Sequence, residues 1–252
     1  MTRVEIIGVE RVPEVKPGDD IAKLICSAVD AQGTPLMDGD VVVVAQKIVS
    51  KAEGRIVRLA DVNPSEFARK VATYTRKKPS LAEVILRESR SIVRMAPGHL
   101  ITETRQGIVC ANSGVDRSNV SGGDLVTLLP EDSDVSARNI RKGIRKLTRK
   151  TVAVIVSDTS GRPLREGHVD IAIGVAGIDP ISDLRGQKDP FGYTLRVKQT
   201  AVADELASAA ELVIGQAQER IPVAIVRGYR FRPSERARTA KLIRRREKDL
   251  FI

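Results

Sequence analysis

Two runs of β-branched residues dominate the hydrophobic pattern: Val41-Val42-Val43-Val44 after Gly39-Asp40, and Val152-Ala153-Val154-Ile155-Val156 before Ser157-Asp158-Thr159. Neither alternates, so each predicts a strand covered on both faces. The second run stops abruptly at Ser157-Asp158-Thr159 and turns at Gly161, which places a carboxylate and a hydroxyl at a strand end, where ligands gather. The segment 108–116, IVCANSGVD, repeats the construction: a short apolar run breaks at Asn112-Ser113-Gly114 before Asp116. An Asp-Thr pair suits a hard divalent ion, and Asp116 is the natural second carboxylate. On spacing alone, capping of turns or helices is the favoured role for both aspartates, because most loop aspartates do this.

The remaining pattern fills in the elements. Residues 4–9 predict a strand, 12–20 a turn-rich loop, and 21–31 a helix capped by Asp19 or Asp20. The four-valine strand is expected to run into a polar loop in which Lys47 and Lys51 flank Ser50. Pro64 and Glu66 start a helix with Phe67 and Val71 on one face, and Ser80 with Glu83 forms a capping-box pattern before Leu81, Val84 and Ile85. Ile140, Ile144 and Leu147 mark a helix over 136–150, and residues 168–177 alternate as a strand. A helix over 202–216 turns Leu206, Ala210, Val213 and Ile214 inward, and 221–228 is again strand-like. Strands and helices mix without strict βα alternation, which predicts an α+β fold of mixed and antiparallel sheets packed with helices, in two intimately associated subdomains. The whole of 1–252 reads as a single domain with a basic C-terminal extension over 229–252.

Bulk properties narrow the function. The 252 residues, 42% of them hydrophobic, supply a sizeable core, and the absence of a leader or a membrane-length apolar run predicts a cytoplasmic protein. Cys26 and Cys110 have no CxxC neighbour and are expected as buried free thiols. The net charge of +10 invites nucleic acid, and arginines and lysines crowd the C-terminal end. Only Tyr229 and Phe231 could stack bases there, and aromatic content is 3%, so the tail is expected to be a solvated helix face or, next, a lure for small polyanions such as nucleotides. There is no GxxxxGK followed by Ser or Thr, no GxGxxG after a strand, and no HExxH, CxxC or GxSxG, which removes several nucleotide, zinc and hydrolase architectures. His99 and His168 lie in unrelated contexts. What remains is a kit of oxygen ligands and lysines, Asp116, Asn119, Asp158, Thr159, Gln216, Lys47 and Lys51, suited to metal-assisted phosphoryl chemistry.

GDVVVVAQKIVSKAEGR, CANSGVDRSNV, VIVSDTSGRPLREGHVDIAIGVAGI, DPFGYTLRVKQTAVADELASAAELVIGQ and IPVAIVRG, in that order over residues 7–228, resemble the coenzyme F420-0:L-glutamate ligases, also called gamma-glutamyl ligases. The resemblance implies a GTP-dependent ligase that joins L-glutamate to the lactyl carboxylate of the deazaflavin precursor F420-0 and then adds a second glutamate through a gamma linkage. An acyl phosphate would be the intermediate, GDP and phosphate the co-products, and the enzyme a homodimer with no membrane partner. It further implies two divalent ions per site, Mg²⁺ or Mn²⁺, with K⁺ as an accessory ion. Asp116 and Asp158 would hold one ion, Thr159 and Gln216 the other, and Lys51 would join the two aspartates in carrying the chemistry. The nucleotide would meet Val12, Pro13, Glu14 and Val15, Gln46, Lys47, Lys51 and Asn119, and the segment Ile214, Gly215, Gln216, Ala217, Gln218, Glu219, Arg220 and Ile221. Some relatives carry a carboxylate in place of Gln216. Two other readings stand beside this one: a basic nucleic-acid-binding protein that works through its tail, and a related nucleotide-dependent amide ligase with a different acceptor.

Overall fold

The four-valine run lies at the centre of the molecule, and both of its faces are covered, as its lack of alternation requires. The computed structural model describes residues 3–117 and 124–250. It opens with β1 (Glu5–Gly8), α1 (Ile21–Gln32), β2 (Val41–Ala45), α2 (Gln46–Ala52) and β3 (Ile56–Arg58). The helices α3 (Glu66–Thr75) and α4 (Pro79–Glu88) precede β4 (Ser89–Ala96), β5 (His99–Thr104), β6 (Val109–Ala111) and β7 (Leu125–Thr127). Next come α5 (Ser133–Thr148), β8 (Ala153–Gly161), β9 (His168–Ile178), β10 (Ser182–Asp183) and β11 (Gln199–Thr200), and finally α6 (Val202–Ile214), β12 (Val223–Arg227) and β13 (Pro233–Ser234).

Six strands form the main sheet in the order β1-β12-β2-β8-β9-β13. β2 and β8 run parallel and the other neighbours antiparallel, which makes this an α+β fold. Val42, Val44, Val154 and Val156 enter a core with Ile25 and Val29 of α1 and Ile140 and Ile144 of α5. Their neighbours Val41, Val43, Ala153 and Ile155 face the other way, onto Ala203, Leu206, Ala207 and Ala210 of α6. Each buried valine contributes roughly 1.5–3 kcal/mol, so the run anchors both layers. A third core, with Leu59, Val71, Leu81, Ile85, Leu100 and Val126, is a separate packing centre under α3, α4 and the β4-β5-β6 sheet.

Several local expectations are corrected. Residues 46–52 are helical, not a polar loop: buried Ser50 donates to the side chain of buried Gln46 one turn earlier at 2.8 Å, and no glycine intervenes before Gly54 at φ +68°. Ser157-Asp158-Thr159 does not end its strand. β8 continues to Gly161 because β9 pairs with it from Ser157↔Ala172 to Gly161↔His168, after a β-bulge between Val156 and Ser157. Phe67 is 59% exposed because α3 buries Ala68, Val71, Ala72 and Thr75, a stripe one position off it. The Ser80–Glu83 capping box does not form. Lys78 is the N-cap residue, and Glu83 instead accepts from the Ser65 amide and hydroxyl at 2.9 and 2.7 Å, which lowers its carboxyl to about 2. Leu147 is exposed, one turn beyond the last core contact of α5. Among described residues the tail has no α-helix. Lys241 pairs with Asp179 and Arg246 with Glu103, each at 3.0 Å, while Tyr229 and Phe231 pack on the second core. No helix among the described residues is long and apolar enough to cross a membrane.

Candidate functional site at one end of the main sheet

Parallel pairing sets Ala45, the last residue of β2, opposite Ser157 in the middle of β8, so the first turn of α2 brings Lys47 near Asp158. The chain enters β12 at the same edge: the Ala45 amide donates to Pro222 at 2.9 Å, and the Val9 amide to Val223 at 2.8 Å. Three segments expected to hold a nucleotide therefore meet here. In the loop after β1, Val15 is buried and Val12 packs against the first core, while Pro13 and Glu14 are exposed. Lys51 is half-buried in the last turn of α2, and the Gln46 side chain is committed to Ser50. At the end of α6, Ile214 is buried and Gly215 takes φ +71°, where a Cβ would overlap Glu219. Gln216, Ala217, Gln218, Glu219 and Arg220 are exposed, Ile221 is half-buried, and Glu219 accepts from the Ala217 amide at 2.8 Å. Asn119 lies outside the described residues.

Successive side chains leave a strand on opposite faces, and β8 uses this to split the candidate metal ligands. Asp158 lies opposite Ile171 on the face toward α2 and β6, and Thr159 opposite Asp170 on the face toward α6. Burial pushes the Asp158 carboxyl up to about 7. Asp170 and Asp116 add to the rise, and the Thr159 amide and Lys47 oppose it. Asp116 reaches Lys47 Nζ through Oδ2 at 2.8 Å. It is presented by an unusual turn, in which Asn112, Ser113 and Gly114 all have left-handed φ of 56, 53 and 69°. The buried Ser113 hydroxyl shares hydrogen bonds of 2.8 Å with Ser89 and with Thr102, and a Cβ at Gly114 would lie 2.6 Å from Leu129. Paired backbone bonds to Thr127, 3.0 and 2.8 Å, then fix Asp116 itself. Cys26 is buried and Cys110 half-buried. Burial raises the Cys110 thiol to about 12, with Asp158 nearby as the next cause.

On the other face, Asp170 is buried and accepts from Ser157 and Thr159 hydroxyls at 2.9 Å each and from the Gln216 amide at 3.3 Å. Burial raises its carboxyl, Glu211 adds to the rise, and these hydrogen bonds counter it. Glu211 accepts from the Gln216 amide nitrogen at 2.6 Å and from the Asp170 backbone at 3.1 Å. Sequence reasoning missed Asp170, Glu211 and Ser157. The one available signal was an acid at a position of the alternating strand that faces inward. Asp116, Asp158, Thr159 and Gln216 are all hard oxygen donors, and the crowding of acids around Asp158 is what a divalent cation relieves, so the set fits Mg²⁺ or Mn²⁺. Among described residues no three His, Cys, Asp or Glu side chains converge as a ready-made cage.

The F420-0:gamma-glutamyl ligase family model matches residues 10–228. The chain is 49% identical over 249 residues, 98% of its length and 98% of the relative's, to the Coenzyme F420:L-glutamate ligase of Methanothermobacter thermautotrophicus. To the protein of the same name from Methanopyrus kandleri it is 47% identical, over 99% of this chain and 97% of the relative. With a match that takes in both packing centres and the shared sheet end, the chain belongs to the F420-0:gamma-glutamyl ligase family.

Proposed function

We propose that this chain is a GTP-dependent ligase that adds L-glutamate to the lactyl carboxylate of coenzyme F420-0, and then a second, gamma-linked glutamate, as a cytoplasmic homodimer. The observation that carries the reading is the gathering of Asp116, Asp158, Thr159 and Gln216 with Lys47 at one sheet end, among loops free to grip a nucleotide. A carboxylate is a poor acyl donor until an oxygen becomes a leaving group. Transfer of the γ-phosphoryl group to it gives an acyl phosphate and GDP, and attack by the glutamate amine then forms the amide and releases phosphate. Such transfer asks the protein chiefly for positioning and charge. Lys47 and Lys51 supply cations for the phosphates, and the segments 12–15 and 214–221 supply backbone groups for guanine and ribose. Two divalent ions, one on Asp116 and Asp158 and one on Thr159 and Gln216, would offset charge on the phosphate chain, with K⁺ as an accessory ion.

Incubation with GTP, Mn²⁺ or Mg²⁺, L-glutamate and F420-0, read by mass spectrometry, tests this directly. The expected result is one and then two glutamyl additions with stoichiometric GDP. No addition with either metal, or equal turnover of an unrelated carboxylate acceptor, would refute it.

A further inference from the structure

We propose that Asp170 and Glu211 are positioning residues that turn the Thr159 hydroxyl and the Gln216 amide into a two-oxygen seat for a divalent ion. This rests on the reading above, that Thr159 and Gln216 hold an ion, and adds the pair of acids that makes them able to.

The argument is one of counting hydrogens. The Thr159 hydroxyl has one, and two acceptors lie in reach: Asp170 Oδ1 at 2.9 Å and Gln216 Oε1 at 3.1 Å. The carboxylate is the stronger acceptor and takes it. Gln216 Nε2 has two hydrogens and faces Glu211 Oε1 at 2.6 Å, Thr159 Oγ1 at 3.0 Å and Asp170 Oδ1 at 3.3 Å. Reversing the amide would set its oxygen against two carboxylates with no hydrogen between, so the nitrogen stays inward and Oε1 outward. The acids are themselves fixed from behind. Glu211 Oε2 accepts the Asp170 amide at 3.1 Å, Asp170 Oδ2 accepts from Ser157 at 2.9 Å, and Ser208 donates to the Asp170 carbonyl at 2.7 Å.

Thr159 Oγ1 and Gln216 Oε1 thus stand 3.1 Å apart, the hydroxyl keeping one lone pair beside the one that accepts from Gln216 Nε2 at 3.0 Å, and Oε1 keeping both. Two ligands at about 2.1 Å on adjacent vertices of an octahedron stand about 3.0 Å apart, the spacing Mg²⁺ or Mn²⁺ requires. Both seat oxygens are neutral, so the negative charge that holds the ion comes from the two carboxylates behind them. Glutamine therefore serves at position 216 without being a carboxylate itself.

The test is Mn²⁺ binding to the full-length protein, with and without GDP, followed by electron paramagnetic resonance. Glu211→Gln and Asp170→Asn are expected to weaken one class of site by about 10–100-fold, the usual effect of losing a ligand's supporting acid. The double variant Glu211→Gln/Gln216→Glu, which moves the carboxylate into the seat, is expected to restore binding. Metal-free thermal unfolding of Glu211→Gln should be unchanged or raised, since a like charge beside Asp170 is gone. Wild-type binding that persists unaltered in Glu211→Gln overturns the proposal, as does a lower unfolding temperature with normal Mn²⁺ binding. No Mn²⁺ bound by the wild type overturns the reading of the site itself. Glu211 is only half-buried, so its variant decides the matter even where Asp170→Asn fails to fold.

Discussion

The two ends of the main sheet treat charge in opposite ways. At one end, buried Asp40 before β2 is gripped by Arg227 at the close of β12, through Nε at 2.9 Å and a terminal nitrogen at 2.8 Å, and Arg227 also donates to the Pro35 carbonyl at 2.9 Å. At the other end Asp116 and Asp158 lie on one side of β8 and Asp170 and Glu211 on the other, and burial lifts Asp158 to about 7, with Asp170 and Asp116 adding to the rise. The same strands reach both ends, about 17 Å apart for five residues of β2. The contrast separates two uses of a buried acid. A bidentate guanidinium closes the first end, and nothing remains for a ligand to do there. Like charges held close at the second cost stability, and a bound cation would offset that cost.

Variants at each end should therefore fail differently. The largest effect is expected from Asp158→Asn: turnover measured by glutamyl addition should fall about 10³-fold, or about 4 kcal/mol, with far-ultraviolet circular dichroism unchanged and unfolding no earlier than in the wild type. Arg227→Met should do the reverse. Denaturant unfolding should show a loss of about 3 kcal/mol, because Asp40 is left buried without its partner, while kcat per folded molecule is kept. Lys47→Met should raise the KM for GTP by about 10–30-fold, or about 2 kcal/mol, with a smaller change in kcat, by removing a phosphate cation while leaving its neighbour Asp116 in place.

The smallest effect falls in the third core, away from both ends. Glu83 has its carboxyl lowered to about 2 from 4.5, first by the Ser65 amide and then by the Ser65 hydroxyl. A depressed folded value means a contribution that is full above about 4.5 and disappears as pH falls toward 2. Glu83→Gln should lose about 1 kcal/mol at neutral pH and show a shallower decline of unfolding temperature through acid than the wild type.

The sheet was legible in the sequence wherever burial wrote it locally. Val41-Val42-Val43-Val44 is buried on both faces and reads so, and 168–177 reads as a strand where β9 lies, although β9 alternates in burial only as far as Ala172 and is buried continuously from there to Ile178. Helices came through when caps and stripes agreed, as with the Asp20 carboxylate accepting from the Lys23 amide at the head of α1. What escaped depends on partners far along the chain. The bulge before Ser157 exists only in the pairing of β8 with β9, and without it Ser157-Asp158-Thr159 reads as a strand end. Asp170 meets Thr159 across that pairing, and Glu211 meets Asp170 from a helix 41 residues away. The β4-β5 pairing shifts register between Ser89 and Ser91 and between Ile92 and Arg94, and the buried positions of β5 are Leu100, Thr102 and Thr104, only one of them apolar. Asp116, Asp158, Thr159 and Gln216 could be named from resemblance, but the division of Asp158 and Thr159 between two strand faces belongs to the fold.

The most direct test of this division of labour is the affinity of the folded protein for Mn²⁺ in the presence of GDP, compared among wild type, Asp158→Asn and Arg227→Met. Loss of at least one bound ion in Asp158→Asn, with wild-type binding in Arg227→Met, is the expected result. Equal binding by Asp158→Asn and the wild type would contradict the assignment of this sheet end to metal-assisted chemistry.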